Sequence, residues 1–188
     1  MGKGRHRVRG WLGLLLCASL GCGDDFACLD AEAGERLRDA VAERAPDRSP
    51  SERSDLIRAF ARAECDFEVD ALLLLAVAEQ ESSLDPKARG PAGGIGLLQV
   101  RPPTGEATAR DHRIDWRGEE SLLDPATNTA LGAAYLVRMK ERFGTWEAAL
   151  AAYNLGPARL RQLIAKGLPA TSPYAREILA RKRKLEGR

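Results

Sequence analysis

Carboxylates are the side chains with which this chain can do chemistry. It holds two histidines, and His6 falls in a basic leader, so His112 alone cannot build a multi-histidine metal site. Of four cysteines, Cys17 and Cys22 belong to the same leader, and Cys28 and Cys65 are too few for a four-cysteine zinc site or an iron–sulfur cluster. Among the acids, Glu81 is the candidate. It closes the segment Ala71 to Glu81, and its same-face neighbours three, four and seven residues back are Ala78, Val77 and Leu74. A carboxyl on such a face loses hydration, so its charged form is disfavoured and its pKa rises. General acid catalysis near neutral pH requires that shift. A polar helix end reaching solvent is the plainer alternative.

A glycosidase would ordinarily need a second carboxylate. Asp85 precedes Pro86 and suits a turn cap, and Glu79 points to another helix face than Glu81. Glu106, Asp111 and Asp115 lie in a stretch without clear pattern, and none is a convincing partner. His112, flanked by Asp111 and Asp115, has no nucleophile motif beside it and reads as a surface histidine.

The elements that must position these residues are helices. Asp30 to Arg44 is modestly amphipathic through Ala33, Leu37, Ala40 and Val41 and stops at Pro46. Ser49-Pro50-Ser51-Glu52 is a turn and cap leading into Leu56, Ile57, Phe60 and Ala63. Asp70 caps the next segment, whose run Leu72 to Ala78 is apolar on nearly all sides and predicts a centrally buried helix. From Asp85 to Pro103, eight Gly and Pro residues predict a tight loop or short strand. Helices resume at Asp124-Pro125 and run to Gly144, then from Thr145, Pro157 and Pro173. The class is mainly α.

The chain begins with Lys3, Arg5, Arg7 and Arg9, an apolar run of ten residues from Trp11 to Leu20, and then small residues. The run is half of the roughly 20 residues a membrane span needs, so residues 1–22 read as an export signal. Gly21-Cys22 resembles a lipoprotein cleavage site, with Cys22 the expected lipid-bearing residue. Removing the leader's four basic residues from 29 leaves 25 against 27 acids, a net charge of −2 in place of +2. A nucleic-acid partner loses its support. Export places Cys28 and Cys65 where they can pair and close a loop of about 37 residues; two separate buried thiols are the alternative. The expected organisation is a leader (1–22), an N-terminal helical segment of unassigned role (23–66) and a catalytic domain with a basic C-terminal helix (67–188). Arg181 to Lys184 read as a solvated helix end.

Three blocks of the chain carry a resemblance. Glu81-Ser82-Ser83-Leu84-Asp85-Pro86 with Gly93-Gly94-Ile95-Gly96-Leu97-Leu98-Gln99-Val100 and Pro102-Pro103-Thr104 forms the first. Leu123-Asp124-Pro125, Asn128, Leu131-Gly132, Tyr135-Leu136 and Arg142-Phe143-Gly144 form the second, and Ala151-Ala152-Tyr153-Asn154-Leu155-Gly156 the third. Together they resemble the soluble lytic transglycosylases, which have a goose-type lysozyme-like fold. Gly94 stands where that pattern usually has Ala, Leu98 where Met is common, and Arg101 where a Met usually precedes the Pro.

The resemblance implies an α+β lysozyme-like domain with the Gly/Pro-rich loop beside the catalytic Glu. It implies Glu81 as single acid and base, cleaving the β-1,4 bond between N-acetylmuramic acid and N-acetylglucosamine in peptidoglycan and closing a 1,6-anhydro ring. Gln99 and Asn154 would hold sugar hydroxyls or N-acetyl groups, and Tyr153 matches the tyrosine that hydrogen-bonds the catalytic carboxylate. Ser82 would order the helix end and contact the substrate, and Leu98 would touch the glycan strand. No cofactor or metal is implied. The expected partners are glycan strands and, through a lipid anchor alone, a membrane, for an exported monomer in the periplasm or envelope. A hydrolytic muramidase and a non-catalytic cell-wall-binding lipoprotein are the alternatives.

Overall fold

The computed structural model describes residues 28–187, so the leader and Cys22 lie outside the described residues. Eight α-helices follow in order: α1 (Ala31–Arg44), α2 (Pro50–Phe67), α3 (Ala71–Ser82), α4 (Pro102–His112), α5 (Pro125–Phe143), α6 (Trp146–Leu155), α7 (Pro157–Ala165) and α8 (Pro173–Leu185). A short 3-10 turn, Glu119–Leu123, precedes α5. Strand structure among the described residues is limited to isolated bridges, Arg89 with Ile95 and Ile95 with Val100. The described part of the chain is thus mainly helical, with almost no strand.

Capping side chains explain most of the starts. Asp30, Asp70, Asp124, Thr145 and Ser172 each accept from the backbone N–H three residues on, and Ser49 and Glu52 form a reciprocal capping box. α4 departs from the sequence expectation, which left its stretch without an element. Pro102 and Pro103 occupy the first turn, where a missing N–H leaves no helical hydrogen bond unmade, so the pair opens the helix instead of forbidding it.

α3 is the axis of the core. Ala71 to Ala78 are all buried, so this helix is enclosed on every side. Fully burying each of its leucines contributes roughly 1.5–3 kcal/mol. α2 runs against α5, α5 against α6, and α8 against both α3 and α6. Leu37 and Val41 of α1 and Leu56 and Phe60 of α2 belong to the same cluster as Leu73 to Leu75. The described part of segment 23–66 is therefore integral to the fold. A disulfide joins Cys28, ahead of α1, to Cys65 in α2 across a Cα–Cα distance of 5.5 Å. Among the described residues, no helix is long and apolar enough to cross a membrane.

Candidate active site

Glu81 sits in the last turn of α3, half-buried, where the central helix reaches the surface. The chain then turns back sharply through two successive left-handed residues, Ser83 (φ 53°) and Leu84 (φ 62°). Leu84 is drawn into the core, and its N–H bonds back to the Ala78 carbonyl at 3.3 Å. Ser82 Oγ bonds the Ala78 carbonyl (3.0 Å) and donates to the Leu97 carbonyl (2.9 Å). It thus fastens the helix end to the following loop, with its hydroxyl engaged by backbone and not free for a substrate, to which the sequence had also assigned it.

That loop is held by amides. Asn128, fully buried in α5, donates from Nδ2 to the carbonyls of Ile95 and Leu122, both at 2.8 Å, and accepts from the Leu98 N–H at 2.8 Å. Gln99 donates from Nε2 to the Gly96 carbonyl (2.9 Å) and the Ala88 carbonyl (3.3 Å). Its amide nitrogen therefore serves the loop, although the side chain still lines the adjoining groove. Gly96 is required twice over. Its φ is +76°, and a Cβ there would stand 2.1 Å from the Leu122 carbonyl oxygen and 2.3 Å from Asn128 Nδ2.

Two tyrosines complete the site, and their roles correct the sequence expectation. Tyr153 does not bond the carboxylate; its hydroxyl donates to the Leu98 carbonyl at 2.6 Å, with its ring edge-on to Tyr135. The tyrosine on Glu81 is Tyr174, whose hydroxyl donates to Oε1 at 2.6 Å. α6 carries Tyr153 against the loop, whereas α8 packs on α3 and brings Tyr174 to the end of that helix. Leu98 is corrected as well. Its side chain is 1% exposed and packs on Gly132, where a Cβ would come within 2.4 Å of Leu98 Cδ1, so it belongs to the core and not to a glycan surface. Asn154 is exposed on the groove wall.

Burial pushes the Glu81 carboxyl above the usual carboxylate range, and the Tyr174 hydrogen bond partly opposes it. Burial first, then the charge of Glu81 and the hydrogen bond to it, drives the Tyr174 phenol far up, so it stays a donor. Tyr153 rises through burial and then through the same charge, which places Glu81 close to both rings. The remaining acids considered above are engaged elsewhere. Glu79 pairs with Arg181 (3.1 Å) and Arg44 (3.7 Å), and Asp85 accepts from the Lys87 N–H (3.0 Å). Asp111 pairs with Arg138 (3.1 Å), Asp115 pairs with Arg117 (2.8 Å), and Glu106 faces solvent on α4. His112 is exposed, edge-on to Phe67. Among the described residues no group of three or more His, Cys, Asp or Glu could hold a metal ion.

Beside Gln99 and Tyr153 opens a groove of about 290 Å³, walled by Arg101, Thr104, Tyr135 and Asn154 and closed by Gly156 and Pro157. A larger hollow of about 370 Å³ lies away from it between α2 and the start of α5, where Arg58 is paired with Asp55 and Arg62 with Asp66. The half-buried acid and its phenol donor stand at the end of α3, and Tyr153, on which the charge of Glu81 acts, also lines the groove. This arrangement can bind a polar chain and protonate an oxygen within it.

Known proteins share this arrangement of elements. Residues 58–167 match the Transglycosylase SLT domain family. A soluble lytic murein transglycosylase of Salmonella typhimurium is 37% identical over 117 residues, covering 61% of this chain and 18% of that protein. The invasion protein IagB of Salmonella typhimurium is 32% identical over 133 residues, covering 68% of this chain and 77% of that one. An inactive mutant of the lytic transglycosylase Slt from Pseudomonas aeruginosa superposes with a TM-score of 0.62 at 26% identity, covering 69% of this chain and 23% of that chain. The chain spans about a fifth of the length of the soluble murein transglycosylases that it matches. Over more than half its residues, including the helix that carries Glu81, the chain belongs to the Transglycosylase SLT domain family.

Proposed function

We propose that this chain is a peptidoglycan lytic transglycosylase. It cleaves the β-1,4 bond between N-acetylmuramic acid and N-acetylglucosamine with Glu81 as its single acid and base. The observation that carries this reading is a half-buried carboxyl, its pKa raised by desolvation, bonded by a phenol and, among the described residues, with no second carboxylate acting on it. Oε1 accepts from Tyr174, which leaves Oε2 to address the substrate. The protonated carboxyl gives its proton to the glycosidic oxygen, and the C1–O bond breaks as that oxygen leaves as a hydroxyl. The muramyl 6-hydroxyl then attacks C1, forming the new C–O bond and returning its proton to Glu81. Atoms balance without water, and the acid is regenerated. A well-oriented internal hydroxyl reaches effective concentrations of about 10⁵ M or more, far above bulk water that no base activates.

Gln99 shapes the loop under the sugar, and Asn154 offers an exposed amide to the strand. The activity belongs in the bacterial envelope, and the leader with Cys22 suits a lipid-anchored form. The protein purified without its leader should release soluble anhydro-muropeptides from wall sacculi, and Glu81→Gln should abolish that release. Folded protein that binds sacculi yet releases nothing would make this a wall-binding module.

A further inference from the structure

The groove lined by Gln99 and Tyr153 carries a cation that its surroundings do not neutralise. Arg101 lies two residues beyond Gln99, is exposed, and forms part of the groove wall with Thr104, Tyr135 and Asn154. Its charge acts on the Tyr135 hydroxyl, as do those of Arg138 and Arg142. Arg138 is held by Asp111 at 3.1 Å. Arg101 makes no ion pair and no side-chain hydrogen bond among the described residues.

The position is a poor one for a structural arginine. Arg101 is the N-cap of α4, at the end of the helix where the macrodipole is positive and acids are favoured. Six of the eight α-helices begin on an Asp, Ser or Thr that caps the first turn. The two that do not, α4 and α7, are those whose first residues line this groove. Backbone and side chain thus add charge of one sign to one wall. A guanidinium presents a planar fork that matches a carboxylate. The amino sugars of a glycan strand are neutral, and the strand's carboxylates lie on the peptide stems attached to the muramyl lactyl arms.

We propose that Arg101 is a specificity-determining residue: its guanidinium pairs with a carboxylate of the peptide stem, so the chain takes stem-bearing strands in preference to uncharged ones. This rests on the glycan-strand reading above. Binding is measured by titration calorimetry with the Glu81→Gln protein, which holds strands without cutting them. The probes are soluble strands from sacculi with stems intact, with stem carboxylates amidated, and with stems removed. Intact stems should bind roughly tenfold more tightly than the other two. That preference should vanish in Glu81→Gln/Arg101→Met and largely return in Glu81→Gln/Arg101→Lys. Equal affinity for intact and amidated strands, or an Arg101→Met variant that discriminates as well as its parent, overturns the proposal. Stripped strands binding as tightly as intact ones would assign Arg101 to the bared lactyl carboxylate and overturn the stem. Wild-type turnover on the same strands separates the two claims. No cleavage of any strand contradicts the lytic activity alone, and cleavage without discrimination contradicts Arg101 alone.

Discussion

At the scale of residues, the chemistry depends on how two side chains set one proton. Glu81→Gln keeps the shape and can still accept from Tyr174, but it has no proton to give. Turnover should fall by about 10²–10⁴-fold or more while sacculus binding persists, as a pull-down beside the activity assay would show. The same substitution has a signature in stability. Burial raises Glu81 above its ordinary value of 4.5, so the folded chain holds a proton that the unfolded chain has released. That contribution is fully present below about 4.5 and is lost as pH rises through the folded pKa. Glu81→Gln should therefore unfold at a higher temperature than the wild type at neutral pH, and the two melting curves should converge under acid. Tyr174→Phe removes the one hydrogen bond that favours the charged carboxylate. The acid should then titrate higher, moving the alkaline limb of the pH–rate profile to higher pH, with kcat reduced because the carboxyl is less well aimed. An unmoved limb would detach Tyr174 from the proton.

At the scale of elements, the site is a helix end, a loop and two supporting helices, and these were unequally legible. The half-buried setting of Glu81 could be read because its neighbours at helical spacing are Ala78, Val77 and Leu74, whereas its role as acid came from the resemblance of the block Glu81 to Thr104. The caps Asp30, Ser49, Asp70, Asp124 and Thr145 likewise announce their helices within four residues. Tyr174 could not be read in this way. It lies 93 residues from Glu81, outside the family match, and only the packing of α8 on α3 joins them. Its one local signal is a tyrosine in the first turn of a Ser172-Pro173 start, ahead of the buried Ala175 and Ile178. Tyr153 was given the carboxylate as partner through the resemblance, and a motif match names a residue without showing what its hydroxyl meets, here the Leu98 carbonyl. α4 was missed because two prolines break a helix interior yet suit a first turn. The loop offers its own test. Asn128→Ala would leave the Leu98 N–H and the Leu122 carbonyl without their partner, and the Ile95 carbonyl with the Val100 N–H alone. Each such orphan costs about 1–3 kcal/mol, so denaturant unfolding should show a loss of at least about 2 kcal/mol. Activity should drop even where the protein remains folded, since Gln99 and Leu98 move with the loop.

At the scale of the whole molecule, α1 and α2 share a core with α3, so the region ahead of the loop is part of what holds Glu81 in place. The Cys28–Cys65 bridge fastens that region over a separation of 37 residues. In the chain-entropy picture such a closure contributes roughly 3–4 kcal/mol, so Cys28→Ser should lower the melting temperature by several degrees with kcat little changed. The measurement that bears most directly on the central claim is the chemical nature of the cut ends. Sacculi digested in ¹⁸O-labelled water and analysed by mass spectrometry should yield muramyl termini closed as 1,6-anhydro rings. These would be about 18 Da lighter than hydrolysed ends and free of label, because among the described residues no second carboxylate acts on Glu81 to activate water. Reducing muramyl termini carrying ¹⁸O as the main product would contradict it and make the same carboxyl the acid of a hydrolase.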